Sequence, residues 1–173
     1  MTLGEFVKWL ALCGLKPGSG GGSGAGAARV IAQHSVPASV TGTTDTTTLA
    51  TIAIPGGTLH ESGALRVTTL WSYTNSANAK VLQVQFGGSV FLNQSQTATS
   101  SSQAQTIVRN RGAANSQVGF AAAAANQYSS SGAAVVVAAV DTTKDQQLVL
   151  TARLANVAET ITLESYTVEV LNP

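Results

Sequence analysis

The sequence predicts an all-β protein: an antiparallel β-sandwich, in the form of a jelly roll, that follows a short helix and a flexible tether. Short β-branched or alternating runs recur from residue 29 onward, and Gly, Asn and Asp turn signals separate them. A glycine-rich segment divides these runs from an apolar N-terminus. We therefore expect a helix over residues 1–16, a linker over 17–27 and a β-sandwich domain over 28–173.

Residues 1–16 are predicted to form an apolar helix. Thr2 and Glu5 have the spacing of a capping box, and Gly14 can end the helix. Its apolar side chains recur at helical spacing and spread over more than one side: Leu3, Phe6, Val7, Trp9, Leu10 and Leu12. Because a helix of this length is marginal in water by itself, we expect it to dock, either on another protein or on its own domain.

Residues 17–27 are predicted to form a flexible tether. A phosphate-binding loop is disfavoured, because a lysine precedes the segment and Arg29 follows it, where such a loop needs Lys and Ser or Thr at its end. As a random coil the segment reaches roughly 18 Å. This organisation is typical of an anchored module, although an engineered fusion linker has the same composition.

The domain contains ten predicted strands, over residues 30–40, 48–54, 64–74, 79–86, 89–93, 104–109, 117–122, 133–140, 146–154 and 160–170. In the third strand Leu65, Trp71 and Tyr73 share one face, so we expect them in the core. In the last strand the apolar phase changes near Glu164 and Ser165, which predicts a β-bulge.

The segments between the strands carry turn residues, such as the Gly-Gly pair at 87–88. Two polar segments, residues 93–105 and 110–116, are predicted to be exposed strands or long loops at a functional end of the domain. The five alanines at 121–125 are too few to nucleate a helix, so we expect a small-residue strand or turn there.

Composition excludes several classes of protein. The net charge is +1 with no basic block, which disfavours a nucleic-acid binder. Ser, Thr, Asn and Gln supply 57 of the 173 residues, so the surface is predicted to be polar but mostly uncharged, which disfavours a charged catalytic cleft. The apolar N-terminus is too short to span a bilayer. The single cysteine, Cys13, can form no internal disulfide.

The ionisable residues form no recognisable catalytic or metal-binding motif. Neither His34 nor His60 is placed by its local sequence next to a nucleophile with a third orienting group, although a triad of His60, a serine and Asp45 or Asp141 could assemble in space. The favoured prediction for His60 is a solvated turn pair with Glu61. Asp141, Thr143 and Asp145 lack the spacing of an EF-hand and predict a polar hairpin.

The remaining charged and aromatic residues also favour structural roles. Glu159, Glu164 and Glu169 are predicted to lie on an exposed strand face rather than to act as paired catalytic carboxylates. Arg109 and Arg111 could contact phosphate or sugar, but surface charges or intersubunit pairs are the commoner outcome. We therefore predict a protein that is not an enzyme, with no cofactor and no metal.

Three segments resemble a small β-domain found on the virions of tailed bacteriophages. They are TLATIAIPGG at 48–57, GALRVTTLWSYTNS at 63–76, and LAN at 154–156 leading into TITLESYTVE at 160–169. The resemblance implies a jelly-roll-like fold, commonly trimeric, in capsid decoration proteins, head spikes or tail-fibre domains.

The resemblance therefore implies a homotrimer at the virion surface. The sequence departs from a simple decoration domain in carrying the helix and tether before the sandwich, and we expect residues 1–16 to anchor the protein to a capsid or connector protein. The expected particle-anchoring residues are Leu3, Phe6, Val7, Trp9, Leu10 and Leu12. One alternative is a receptor-binding tail-fibre tip, in which residues 93–105 and 110–116 contact a host glycan or protein. Others are a lectin-like surface module and a polysaccharide hydrolase that uses Glu61 or Glu159.

Overall fold

The structure, a computed structural model, describes residues 28–120, 122, 132 and 134–173. This part of the chain contains eleven β-strands and no helix, which confirms the all-β class. The predicted helix over residues 1–16, the tether over 17–27 and most of the alanine segment lie outside the described residues.

Each of the ten predicted segments overlaps at least one strand of the structure, and the first overlaps two. They are β1 Ala28–His34, β2 Ala38–Val40, β3 Thr47–Ile54, β4 Ala64–Tyr73, β5 Lys80–Phe86, β6 Ser89–Gln96, β7 Ser101–Asn110, β8 Gln117–Gly119, β9 Val136–Ala138, β10 Gln146–Leu154 and β11 Ile161–Leu171.

The strands form two antiparallel sheets, as expected of a β-sandwich. The larger sheet has the order β1-β11-β4-β7-β8-β9, and β2 also pairs with β11. The smaller sheet has the order β3-β10-β5-β6. The chain therefore changes sheet between β3 and β4 and again between β4 and β5, so neighbours within a sheet are mostly distant in sequence.

Alternating apolar residues from both sheets meet in one core. The fully buried positions include Leu65, Val67 and Trp71 of β4, Leu82, Val84 and Phe86 of β5, Leu148 and Leu150 of β10, and Val168 of β11. The indole Nε1 of Trp71 donates a hydrogen bond to Thr69 Oγ1 at 2.8 Å, so no polar group of that side chain is buried without a partner. The predicted core positions of Trp71 and Tyr73 are confirmed.

Two predicted local features are also confirmed. The register of β11 against β4 shifts between Leu163 and Ser165, which is the bulge expected from the change of apolar phase. Gly87 and Gly88 have φ values of +54° and +80° and join β5 to β6 as a two-residue hairpin turn. Both residues are in the left-handed region that such a turn requires, and glycine adopts that region without steric cost.

The structure corrects three predicted boundaries. The first predicted strand is divided into β1 and β2, and Pro37, which has no backbone N–H to donate, lies in the break. Of the two alternatives predicted for the segment 93–105, the structure shows mainly exposed strand, because β6 continues to Gln96 and β7 begins at Ser101. Gln94 and Ala104 within it are buried. β9 is limited to three residues of the predicted run 133–140.

Two leucines of β4 test the assignment of the inner and outer faces. Leu65 is fully buried, whereas Leu70 is 40% exposed on the outer face of the same strand. We expect Leu65→Ala to lower the free energy of unfolding by about 2–5 kcal/mol, because it removes buried apolar surface and leaves a cavity. The control Leu70→Ala is expected to cost about 1 kcal/mol or less. Urea unfolding measures both, and equal losses would contradict the assignment.

Candidate functional site

The outer face of β7, β8 and β9 carries a group of apolar side chains in contact with solvent. We call this group the apolar patch; it consists of Ile107, Val118, Phe120, Val135 and Val137. Phe120, Val135 and Val137 are 39%, 58% and 63% exposed. A shallow groove of about 320 Å³ runs beside Val137; it is lined by the other four patch residues together with Gln105, Arg109 and Gly119.

The strand register places these residues on one face. Arg109 pairs with Val118, and Val118 pairs with Val137, so the three side chains lie side by side. On the opposite face Val108 is buried in the core. A Cβ atom at Gly119 would lie 2.6 Å from Cδ1 of Phe91, so this glycine allows β8 to approach the core closely.

The apolar patch has the character of a contact surface for protein. Its groove is near the lower limit of volume for small-molecule sites, and four of the seven lining residues are the apolar Ile107, Val118, Phe120 and Val135. β9 is the last strand of the larger sheet, so the patch lies at a sheet edge. Exposed apolar groups of this kind mark interaction surfaces more often than isolated apolar residues do.

A second groove, of about 200 Å³, opens between the sheets beside the β11 bulge. The rings of His34 and Tyr166 stack along it, with centroids 5.8 Å apart and planes inclined by 14°. The groove is smaller than the cavities that usually hold cofactors or substrates.

Hydrogen bonds hold the loop over residues 110–116 against two neighbouring loops. Asn110 Nδ2 donates to the His60 carbonyl at 2.9 Å and to Thr142 Oγ1 at 3.0 Å. Gln117 is fully buried; its Nε2 donates to Asn110 Oδ1 and to the Val140 carbonyl, and its Oε1 accepts from the Val140 N–H. Part of the segment 110–116, which was predicted to lie at a functional end of the domain, therefore stabilises the fold.

His60 and Glu61 lie in the neighbouring turn with exposed side chains, in agreement with the prediction of a solvated pair. Their backbone carbonyls accept hydrogen bonds from Asn110 Nδ2 and the Gly112 N–H respectively.

Residues 141–145 form a polar turn, but the predicted hairpin is wrong, because the flanking strands β9 and β10 belong to different sheets. Asp141 accepts hydrogen bonds from the N–H and hydroxyl of Thr143 and pairs with Lys144 at 3.1 Å, and these contacts hold the pKa of Asp141 below its usual range. Asp145 accepts from the Gly56 N–H at 2.9 Å. Among the described residues, no group of three or more His, Cys, Asp or Glu side chains is arranged to hold a metal ion.

The prediction that Glu159 lies on an exposed face is wrong. Its side chain is buried beside Lys80, which is fully buried, and the Nζ–Oε2 distance is 3.4 Å. Glu159 Oε1 accepts hydrogen bonds from Ser76 at 2.5 Å and from Asn78 at 2.8 Å. The turn over residues 74–79 covers the Glu159 carboxylate and removes it from solvent.

The pKa of Glu159 is lowered because Ser76 and Asn78 donate hydrogen bonds to its ionised form, with Lys80 adding to the effect. Lys80 was missed by the sequence analysis, although its position offered a signal. It has the same strand phase as Leu82, Val84 and Phe86, which all point into the core.

The other two predicted exposed acids are half-buried and paired. Glu164 accepts a hydrogen bond from Ser72. Glu169 makes two 2.7 Å hydrogen bonds with Arg66, and this fork lowers the pKa of Glu169. The acidic residues of the last strands thus tie neighbouring elements together.

The other predicted site residues are located as follows. Arg109 and Arg111 are exposed, in agreement with their interpretation as surface charges. The six expected anchoring residues of segment 1–16 lie outside the described part of the chain. Within that part, no helix has the length and hydrophobicity needed to cross a bilayer.

Comparison with known proteins adds little to this picture. No family model and no curated protein matches the chain. The chain is similar to part of dimeric latent PorU from Porphyromonas gingivalis, with 11% sequence identity and a TM-score of 0.40. The match covers 90% of this chain and 14% of the PorU chain. A likeness this distant carries no argument about fold or function.

The buried Glu159 predicts an acid-sensitive contribution to stability. Because the pKa of Glu159 is lower in the folded than in the unfolded state, its ionised contacts stabilise the fold above the unfolded pKa. That stabilisation is lost as the pH falls through the folded pKa. We expect Glu159→Gln to be less stable at neutral pH and to lose less stability between about pH 6 and pH 3 than the parent chain.

Urea unfolding at a series of pH values measures both effects. Glu61→Gln is the matched control, because Glu61 is exposed in a turn and its substitution should leave the pH profile unchanged. Parallel profiles for the parent chain and Glu159→Gln would show that this carboxylate is not the acid-sensitive group.

Proposed function

We propose that this chain is a non-enzymatic structural protein of a tailed-bacteriophage virion. It is a capsid decoration or head-spike protein, and its N-terminal segment anchors it to the particle. The observation that carries the proposal is the order of its parts: an apolar segment and a glycine-rich tether lead into an edge strand of a β-sandwich. This order leaves the compact domain free to stand away from the surface to which the apolar segment binds.

The finer fold in this proposal is a jelly roll. Without β2, β8 and β9, the strands of the two sheets follow the orders β1-β11-β4-β7 and β3-β10-β5-β6. These are the orders of the two four-stranded sheets of an eight-stranded jelly roll, with β8 and β9 as an extension of the first. The strand order supports a jelly roll, and the resemblance to phage virion domains points in the same direction.

The anchor in this proposal is the apolar helix expected over residues 1–16. Its contact residues are Leu3, Phe6, Val7, Trp9, Leu10 and Leu12. Full burial of each large apolar side chain contributes about 1.5–3 kcal/mol. If the protein is the homotrimer that the resemblance implies, three tethered anchors bind the particle with a combined affinity above that of any single anchor.

The contacts of the ionisable side chains support the proposal that the protein is not an enzyme. Glu159, Glu169 and Asp141 are each held in hydrogen bonds and ion pairs that fix the fold. The backbone carbonyl of His60 accepts a hydrogen bond from Asn110 Nδ2. These residues have structural tasks that account for their positions.

Co-sedimentation with phage capsids that lack their decoration protein tests the anchor. We expect the full chain to pellet with the capsids and a chain without residues 1–27 to stay in solution. Phe6→Asp and Leu10→Asp should each weaken binding by about tenfold or more, because a charge replaces a buried apolar side chain. The matched control Thr2→Asp adds the same charge outside the predicted contact residues and should bind normally.

Two outcomes would contradict the proposal. Binding retained after deletion of residues 1–27 would exclude this segment as the anchor. Adsorption of both forms to host cells, with no binding to capsids, would instead favour a receptor-binding tail-fibre tip. Size-exclusion chromatography with light scattering tests the homotrimer separately.

A further inference from the structure

We infer that residues 1–16 pack against the apolar patch of their own chain when the protein is free in solution. The proposed contact joins the expected anchor segment to the outer face of β7, β8 and β9. It is independent of the proposed function, because it is made in the isolated chain and requires no particle.

The register of the larger sheet brings Ala28, the residue that follows the tether, into line with the patch. Ala28 pairs with Leu171, Leu171 with Ala64 and Ala64 with Arg109, in one row across the sheet. The same row continues from Arg109 to Val118 and then to Val137. Val118 and Val137 belong to the patch. The described chain therefore begins level with the patch, at the opposite edge of the same sheet.

The length of the tether is sufficient for this contact. Five strand spacings separate β1 from β9, which corresponds to about 24 Å. The eleven residues 17–27 span at most about 36 Å when extended and roughly 18 Å as a random coil. Segment 1–16 can therefore reach across its own sheet. Short flexible tethers give effective concentrations of about a millimolar, so even a weak contact is populated.

The chemistry of the two surfaces is complementary. The segment presents large apolar side chains, and the patch offers aliphatic residues and the ring of Phe120. Glu5 is the single acidic residue among residues 1–27, and the exposed Arg109 lies at the border of the patch. Packing would remove both apolar surfaces from water at the same time, which is favourable in proportion to the area buried.

The contact would act as a cover for the anchor. Before the particle is present, the segment would be held on the patch and kept from non-specific association. Binding to a particle would require the particle surface to compete with the patch. Variants that weaken the intramolecular contact should therefore retain particle binding or improve it.

The fluorescence of Trp9 tests the contact in the full chain. Trp71, which is fully buried in the fold, is retained in a Trp9→Phe variant, so the difference between the parent chain and this variant in each state isolates the signal of Trp9. We expect acrylamide to quench Trp9 several-fold less in the native chain than in the urea-unfolded chain. Val137→Asp should abolish this protection, because it places a charge within the patch.

Val157→Asp is the matched control, because Val157 is also an exposed valine (51%, against 63% for Val137) and lies outside the patch. It should leave the protection of Trp9 unchanged. Equal quenching of Trp9 in the native and unfolded chains, or equal effects of the two valine substitutions, would overturn the inference.

Dilution shows whether the segment on the patch belongs to the same chain or to a second copy. Protection of Trp9 that is constant between about 100 μM and 1 μM supports a contact within one chain, whereas protection lost on dilution would replace it with docking onto a second copy. Capsid co-sedimentation is measured separately. Failure of the fluorescence test therefore leaves the proposed anchor intact, and failure of capsid binding leaves the intramolecular contact intact.

Discussion

Burial of two apolar sheet faces against each other is the constraint on which the structure depends. Each strand of the core presents one face inward, so Trp71 of the larger sheet and Phe86 of the smaller sheet are both fully buried. The interior is filled by apolar side chains from both sheets. The groove along β7 and β8 lies on the outer face of the larger sheet, away from this core.

The few charged residues serve mainly as ties between elements. Only 10% of residues are charged, and the structure commits several of them to specific contacts. Arg66 and Glu169 bridge two strands of the larger sheet, and Lys80 with Glu159 holds two turns together at one end of the domain. A buried ion pair of this type contributes little net stability, but losing one partner is costly because the other charge stays buried.

The apolar patch and the apolar N-terminal segment present the same physical problem. Val135 and Val137 lie in contact with water at the edge of a sheet, where unpaired strands tend to associate. Segment 1–16 is equally unsuited to water by itself. A contact between them solves both problems in the free chain, and a particle surface that binds the segment more strongly would release it. The anchor and its cover are thus compatible roles of one segment.

The sequence by itself determined the features that depend on near neighbours: the alternation from Leu65 to Tyr73, the β11 bulge and the Gly87–Gly88 turn. Period-two spacing and glycine torsion preferences determine these locally. Only the tertiary structure decided which strands pair, that Glu159 meets Lys80, and that part of the loop 110–116 supports the fold. Those contacts join distant residues, and their geometry depends on strand order and register, which local alternation does not specify.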